Sequence, residues 1–576
     1  MVALSRRRMV GITVAVGMLA FGFRLVTLRD LTNDHYMHLA WAQQLLFGQL
    51  PGRDFVDPGM PLMYTLSAFV QHQWPGPFSE GVLSCVLLAI AASATFLVAA
   101  ELTASIAFGV AAALFEIAID PRLYSYPKIL VPAVALLLIQ RYVRQPSRIR
   151  LVWLAAWTGI AVLFRHDLGV YAAAGIGAAL VVAHGTNWRQ TLRVMAEYAM
   201  ALVALMSPYV VFVVWSEGLG EHLHEAIEFT KGEAHQRFIA PPAFPFWANI
   251  YSPSWSRMDS AVFLFYAAHV LAILCLVLLG RSKERPTGRE PVAAAGFAML
   301  LTYLLVVLRH PIDSRIQDVA ALLAINGAWA LAESWQRATA MVRSGASPSL
   351  VRRFVPLSVA FIVVAGGVVN TWILADVPTR LQETRVADGF PTIKHTIEVV
   401  RETGTVWPWE RFWPAGEMPV AVRYLNTCTR PDDAVLLTWA APEYYYFAQR
   451  RFAAGHALFL PPSAFTTAHD QARMLERIRR ERIPVVLINE GRNDEFANAY
   501  PEVERHIRDA YVPVGHFTIR EGSLITVAIG RELKSTGSYQ PEGWPCGFER
   551  RAASNTASTM LDGSASPLPA MSNAVP

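Results

Sequence analysis

From Met9 to Ala375 the chain is a succession of long apolar runs separated by short charged loops, and beyond Ala375 such runs cease. A bilayer crossing needs roughly 20 mostly apolar residues. The runs that could cross are Met9 to Leu28, Leu83 to Ala100, Ser105 to Ile119, Ile129 to Tyr142, Leu151 to Phe164 and Leu168 to Ala183, followed by Val194 to Trp215, Ala261 to Leu279, Pro291 to Leu308, Ile316 to Ala332 and Phe354 to Ala375. They predict a multi-pass α-helical membrane protein of about 11 transmembrane helices. Several runs are short, and those flanking Asp120 and Asp167 come as adjacent pairs. If either pair only dips into the membrane, the parity of the other helices is unchanged. Only 16% of the 576 residues are charged, against about 25% in an ordinary soluble protein.

Basic residues set the expected orientation. Arg6, Arg7 and Arg8 precede the first run, which is long for a cleaved signal and reads as an uncleaved anchor. With eleven spans, the loops holding Arg141, Arg144, Arg148 and Arg150, then Arg189 and Arg193, then Arg281, Lys283, Arg285 and Arg289, then Arg337, Arg343, Arg352 and Arg353 all fall on one side. The positive-inside rule makes that side cytoplasmic. The N-terminus is then cytoplasmic and everything after Ala375 periplasmic or extracellular, in a bacterial inner (plasma) membrane. The net charge of +5 is thus a topology signal and implies no nucleic acid.

The expected organisation is a membrane domain over 1–376, a connector over 377–418, a small extracytoplasmic α/β domain over 419–535 and a disordered tail over 536–576. In the connector, Trp407, Trp409, Phe412 and Trp413 form an aromatic patch suited to a membrane interface. Val420 to Asn426 and His469 to Arg482 read as helices; Ala434 to Trp439, Val485 to Asn489 and Leu524 to Ile529 read as strands. No G-x-G-x-x-G follows the first strand, so a dinucleotide site is not expected. Cys85 and Cys275 sit in apolar runs; Cys428 and Cys546 are far apart, and a disulfide between them is a guess that the spacing does not decide.

Chemistry concentrates in the loops on the outer side. Asp34-His35-Tyr36 follows the first run, and Asp34 to Gly48 continues as an amphipathic segment. Then comes Arg53-Asp54-Phe55-Val56-Asp57-Pro58-Gly59-Met60-Pro61-Leu62. Later outer loops carry Asp120 to Lys128, Arg165-His166-Asp167, and Arg309 to Arg315. Charge at membrane depth is costly and marks function by default.

The first outer loop resembles that of the GT-C superfamily of polyprenyl-phosphate-sugar-dependent glycosyltransferases. The nearest likeness is to the protein O-mannosyltransferase, lipid A aminoarabinose transferase and lipopolysaccharide-core galacturonosyltransferase group. Their loop reads acid-acid-x-x-Tyr, a small-residue helix, then Phe-x-Asp/Glu-x-Pro-Pro-Leu. Here His35 stands at the second acid, and Gly59-Met60-Pro61 replaces the paired proline. The resemblance implies sugar transfer, with inversion, from a lipid phosphate carrier to a hydroxyl of an envelope glycan, lipid or protein. It maps the catalytic acid onto Asp34.

The chemistry agrees. Phosphate is a good leaving group, so one base that takes the acceptor proton suffices, and an ionised carboxylate can do that. Asp34 could instead cap its helix. Asp54 and Asp57 could orient the acceptor, pair with Arg53 or serve their own turn, with Asp57 the second catalytic candidate beside Asp34 and Asp54 a substrate-binding one. Asp120 could bind substrate or make an Asp-Pro turn. Lys128 and Arg165 are candidates for the donor phosphate, against snorkelling to lipid headgroups or, for Arg165, pairing with Asp167. Arg309 and Arg315 carry the same ambiguity. Tyr36, Tyr124 and Tyr126 could stack on sugar faces or anchor the interface. His35, His38 and His166 match no metal-ligand spacing, so no cofactor is expected and a divalent metal is the weaker reading. A flippase of lipid-linked sugars is the rival, but it would place charge within helices and show internal repeats.

Overall fold

A computed structural model of the chain describes residues 6–28, 31, 33–57, 59–185, 187–234, 240–245, 255–282, 288–306, 308–343, 350–383, 389, 394, 418–457, 459, 467–519 and 522–550. The aromatic patch at 407–413 and the segment 551–576 lie outside the described residues.

Each of the eleven apolar runs is helical. The helices are α1 (Arg6–Val26), α2 (Asn33–Leu46), α3 (Pro61–Gln73), α4 (Pro77–Thr103), α5 (Ile106–Ala118), α6 (Tyr126–Arg144), α7 (Arg148–Phe164), α8 (His166–His184), α9 (Trp188–Ser216), α10 (Leu219–Ala234), α11 (Arg257–Ser282), α12 (Glu290–Val306), α13 (Ile312–Arg315), α14 (Ala320–Arg343), α15 (Leu350–Leu374) and α16 (Val377–Glu383). Among the described residues, seven helices are long and apolar enough to cross a membrane: those of α1, α4, α6, α8, α9, α11 and α15. Helices α5 and α12 are apolar but shorter. The fold is therefore a multi-pass helical one, and length and apolarity together single out fewer crossings than the run count did.

Small residues let these helices approach closely, as membrane helices require in the absence of a hydrophobic drive between them. Along α8, Ala172, Gly175 and Ala179 are buried against α12, and a Cβ on Gly175 would run into Met299. At the edge, α9 leaves Val203, Val211 and Trp215 exposed, and α15 leaves Phe361 and Ile362, an apolar surface suited to lipid tails.

The two ends of the bundle differ chemically. At one end Glu101 of α4 holds Arg144 at 3.0 Å, Arg193 meets Glu197 at 3.0 Å and Arg337 meets Glu333 at 2.7 Å. At the other end of α6 and α7 stand Lys128 and Arg165. The 19 residues of α6 separate these ends by about 28 Å.

The C-terminal domain sits on the second end. Its sheet runs β2-β1-β3-β5-β4, with β1 (Ala434–Leu437) parallel to β2 (Arg451–Phe452) and β3 (Val485–Asn489), and β5 (Leu524–Gly530) antiparallel to β3 and β4 (Tyr511–Thr518). Strand β1 is buried throughout, as its uninterrupted apolar run predicts. A hairpin of β6 (Leu533–Tyr539) and β7 (Trp544–Arg550) follows. Its presence corrects the tail expected from residue 536: Trp544 and Phe548 are buried and Cys546 is disulfide-bonded to Cys428. The domain docks on α2 and α3. Tyr36 packs on Phe447 with ring centroids 5.3 Å apart, Phe55 on Phe452 at 5.9 Å, and Tyr446 Oη donates to Gln71 Oε1 at 2.8 Å.

Candidate functional site

The site begins with a buried carboxylate that sequence reasoning left unassigned. Asp318, in the turn before α14, is fully buried and accepts from Lys128 Nζ at 2.5 Å. Arg122 Nη2 lies 3.6 Å from the same oxygen, and Arg315 also acts on Asp318. Lys128 feels Arg165 as well, and Arg165 is forked onto Asp167, whose other donor is Tyr171 Oη at 3.0 Å. Four cationic side chains thus surround two carboxylates, which leaves the locality positive. Arg122 Nε and Nη2 and Arg315 Nε are buried donors with no hydrogen-bond acceptor among the described residues. Guanidinium donors of this kind suit a phosphate. The one signal available in the sequence was an acid at the mouth of an apolar run; its partner is 190 residues away.

Tyr124 connects this cluster to Asp34. The Arg122 guanidinium carbon lies 4.7 Å from the Tyr124 ring centroid. Tyr124 is in turn within electrostatic reach of Asp34, as is His38. Asp34 falls inside the first turn of α2 rather than ahead of it, half-buried. A carboxylate there also favours the helix dipole. Asp34, Lys128 and Arg165 are therefore joined through Tyr124, Arg122 and Asp318.

Asp57 belongs to a neighbouring group. It is buried, accepts the Gly59 N–H at 2.9 Å and the Tyr209 hydroxyl at 3.4 Å, and burial pushes its carboxyl above the usual range. His166 contacts Tyr209 at 3.2 Å, and His222 contacts Glu217 at 3.1 Å. Gly59 has φ +76°, and any Cβ there would press on the His166 ring. That position needs glycine.

The other candidates are occupied elsewhere. Asp54 accepts from Arg53 at 2.6 Å and from the Leu50 N–H at 2.8 Å, so it closes its own turn; against partial burial these bonds hold its pKa low. Asp120 is gripped between Arg24 and Arg380. Tyr36 is buried in the seam with the C-terminal domain, and Tyr126 is buried against Phe164. Among the described residues, no group of three or more His, Cys, Asp or Glu is placed to hold a metal ion.

No protein-family model matches the chain, and no curated protein does. Among solved structures the chain is similar to ArnT from Cupriavidus metallidurans bound to undecaprenyl phosphate, with 12% identity and a TM-score of 0.48 over 91% of this chain and 98% of that one. The apo form of the same protein is similar at 11% identity and a TM-score of 0.48, over 90% and 97%.

Proposed function

We propose that this protein is a membrane glycosyltransferase that takes a sugar from a polyprenyl-phosphate donor and passes it, with inversion, to a hydroxyl of an envelope acceptor on the outer face of the inner membrane. The observation that carries the reading is the positive cluster of Arg122, Lys128, Arg165 and Arg315 joined through Tyr124 to Asp34. The acceptor oxygen attacks the anomeric carbon as its proton passes to Asp34. The bond from that carbon to the phosphate oxygen breaks, and the departing charge falls among the fixed cations. Asp57 is the second acid of the reading and orients the acceptor beside Tyr209. Asp54, Asp120, Tyr36 and Tyr126 have no part in this reading of the step; their side chains serve turns, ion pairs or packing.

Two features support the sidedness. The plain arginine-rich end answers to the cytoplasm, and the Cys428–Cys546 disulfide of the C-terminal domain suits an oxidising compartment. The test is transfer from synthetic polyprenyl-phosphate sugars by wild type and Asp34→Asn. Loss of the base should lower the rate by roughly 10²–10⁴-fold. Full transfer by the Asn variant removes Asp34 from that role.

A further inference from the structure

We infer that His35, His38 and Tyr124 line a subsite for an uncharged, hydroxyl-bearing sugar ring beside the phosphate cluster. The inference rests on the donor reading above and adds the class of sugar. His35 and His38 are three residues apart on α2 and so share one helix face. They are 1% and 2% exposed. Among the described residues, both ring nitrogens of His35 and Nδ1 of His38 have no hydrogen-bond partner. Buried polar atoms are almost always paired, so a group of three in one place calls for partners that the described residues do not supply.

The chemistry of those partners follows from the rings. Burial holds both imidazoles neutral, with pKa values pushed down to about 3 for His35 and about 4 for His38. A neutral imidazole offers one donor and one acceptor. A sugar hydroxyl offers the same pair in return. The location agrees: the Tyr124 ring lies 5.7 Å from His35 and 6.5 Å from His38, while its other neighbour is the Arg122 guanidinium. A sugar whose phosphate rests on Arg122 therefore meets the two histidines within one aromatic ring's width. The rings select against charge: a neutral imidazole has no charge to offset a carboxylate or an ammonium.

The test is binding to the full-length protein in nanodiscs, using bare polyprenyl phosphate and the same carrier bearing a neutral hexose, an amino-pentose or a uronic acid. The neutral sugar is expected to improve affinity over bare carrier by about tenfold, the equivalent of a hydrogen-bonded pair. The charged sugars should add less. His35→Phe and His38→Phe should erase the increment and leave bare-carrier affinity within about twofold, and His35→Asn should keep part of it. A wild type that binds bare and neutral-sugar carriers equally, a preference for a charged sugar, or variants that weaken bare and glycosylated carriers alike would overturn the inference. Absence of any bare-carrier binding would instead strike the donor reading itself. If the Phe variants do not fold, the donor ranking in wild type and the His35→Asn comparison still decide.

Discussion

Lys128 and Asp318 form a buried ion pair, Nζ to Oδ2 at 2.5 Å, between the first turn of α6 and the turn that leads into α14. Tyr303 adds a hydrogen bond to the Lys128 carbonyl at 3.1 Å, which fixes that turn against α12. The pair sits where two further guanidiniums converge on the same carboxylate. It is therefore both a tie between helices and the electrostatic keel of the proposed phosphate site.

Removing one partner of such a pair strands a charge away from water. Lys128→Met or Asp318→Leu alone should cost about 3–5 kcal/mol, read as a lowered thermal midpoint in detergent. The double variant should cost clearly less than the two singles together, because the Lys128–Asp318 attraction is then lost once rather than counted twice. Strict additivity would mean the pair is not coupled. Carrier binding should fall in Lys128→Met even under conditions where the variant remains folded.

Much of this architecture could be read from the chain, and the remainder was hidden for identifiable reasons. The helices were legible because apolar stretches are long and punctuated by arginine. Strands β1, β3 and β5 were legible as short runs of Val, Ile and Leu. The β6–β7 hairpin was not: it is mostly polar or glycine-bearing, and Leu533, Trp544 and Phe548 mark its buried face. Asp34, Lys128 and Arg165 were picked out by their depth, yet Asp318, which joins Lys128 to Arg122, comes from a segment 190 residues away from Lys128. Tyr36 and Tyr126 could not be placed from the chain alone, because tyrosine suits a sugar face, an interface and a core equally well; in the structure they pack on Phe447 and Phe164.

His222 offers a test at the Asp57 group. Its hydrogen bond with Glu217 raises its pKa above the ordinary value, against burial and with help from Asp57. A group raised on folding contributes stability that is complete below the unfolded value of about 6.5 and is lost as pH rises through the folded value. The facing Glu217, held low by His222 against its own burial, loses its contribution only at acidic pH. The thermal midpoint of the wild type should therefore fall as pH is raised past about 6.5. His222→Gln should flatten that slope. An unchanged slope in the variant would place the titrating group elsewhere.

The cysteines make a prediction about thiol counts. Cys428 and Cys546 are bonded, while Cys85 and Cys275 are free and buried. Alkylation should find no reactive thiol in the folded protein, two after denaturation, and four after denaturation with reductant. The bond closes a loop with a sequence separation of 118 and ties the helix at Met418–Cys428 to the hairpin. Replacing both cysteines by serine should cost about 2–5 kcal/mol in the C-terminal domain. The transmembrane helices should keep their far-UV signal.

The seam between α10 and the C-terminal domain rests on Arg473, which pairs with Glu225 at 2.7 Å and also grips Glu221. Burial and the nearby Glu217 push Glu225 up to about 8, so it is protonated at neutral pH in the folded state. Glutamine imitates a protonated glutamate, and Glu225→Gln should be tolerated at pH 7. Arg473→Met removes the donor to both carboxyls and should cost about 1.5–3 kcal/mol, the range for hydrogen bonds to charged groups. Hydrogen exchange should then rise in 219–234 and 468–480 and stay unchanged in α6 and α8. The pH dependence separates the two acids. A carboxyl raised on folding contributes stability at low pH that is lost as pH rises through its folded value, here about 8. Wild type should accordingly loosen at this seam as pH rises from about 4.5 to about 8, and Glu225→Gln should not. Equal loosening of both would shift the titration to another group.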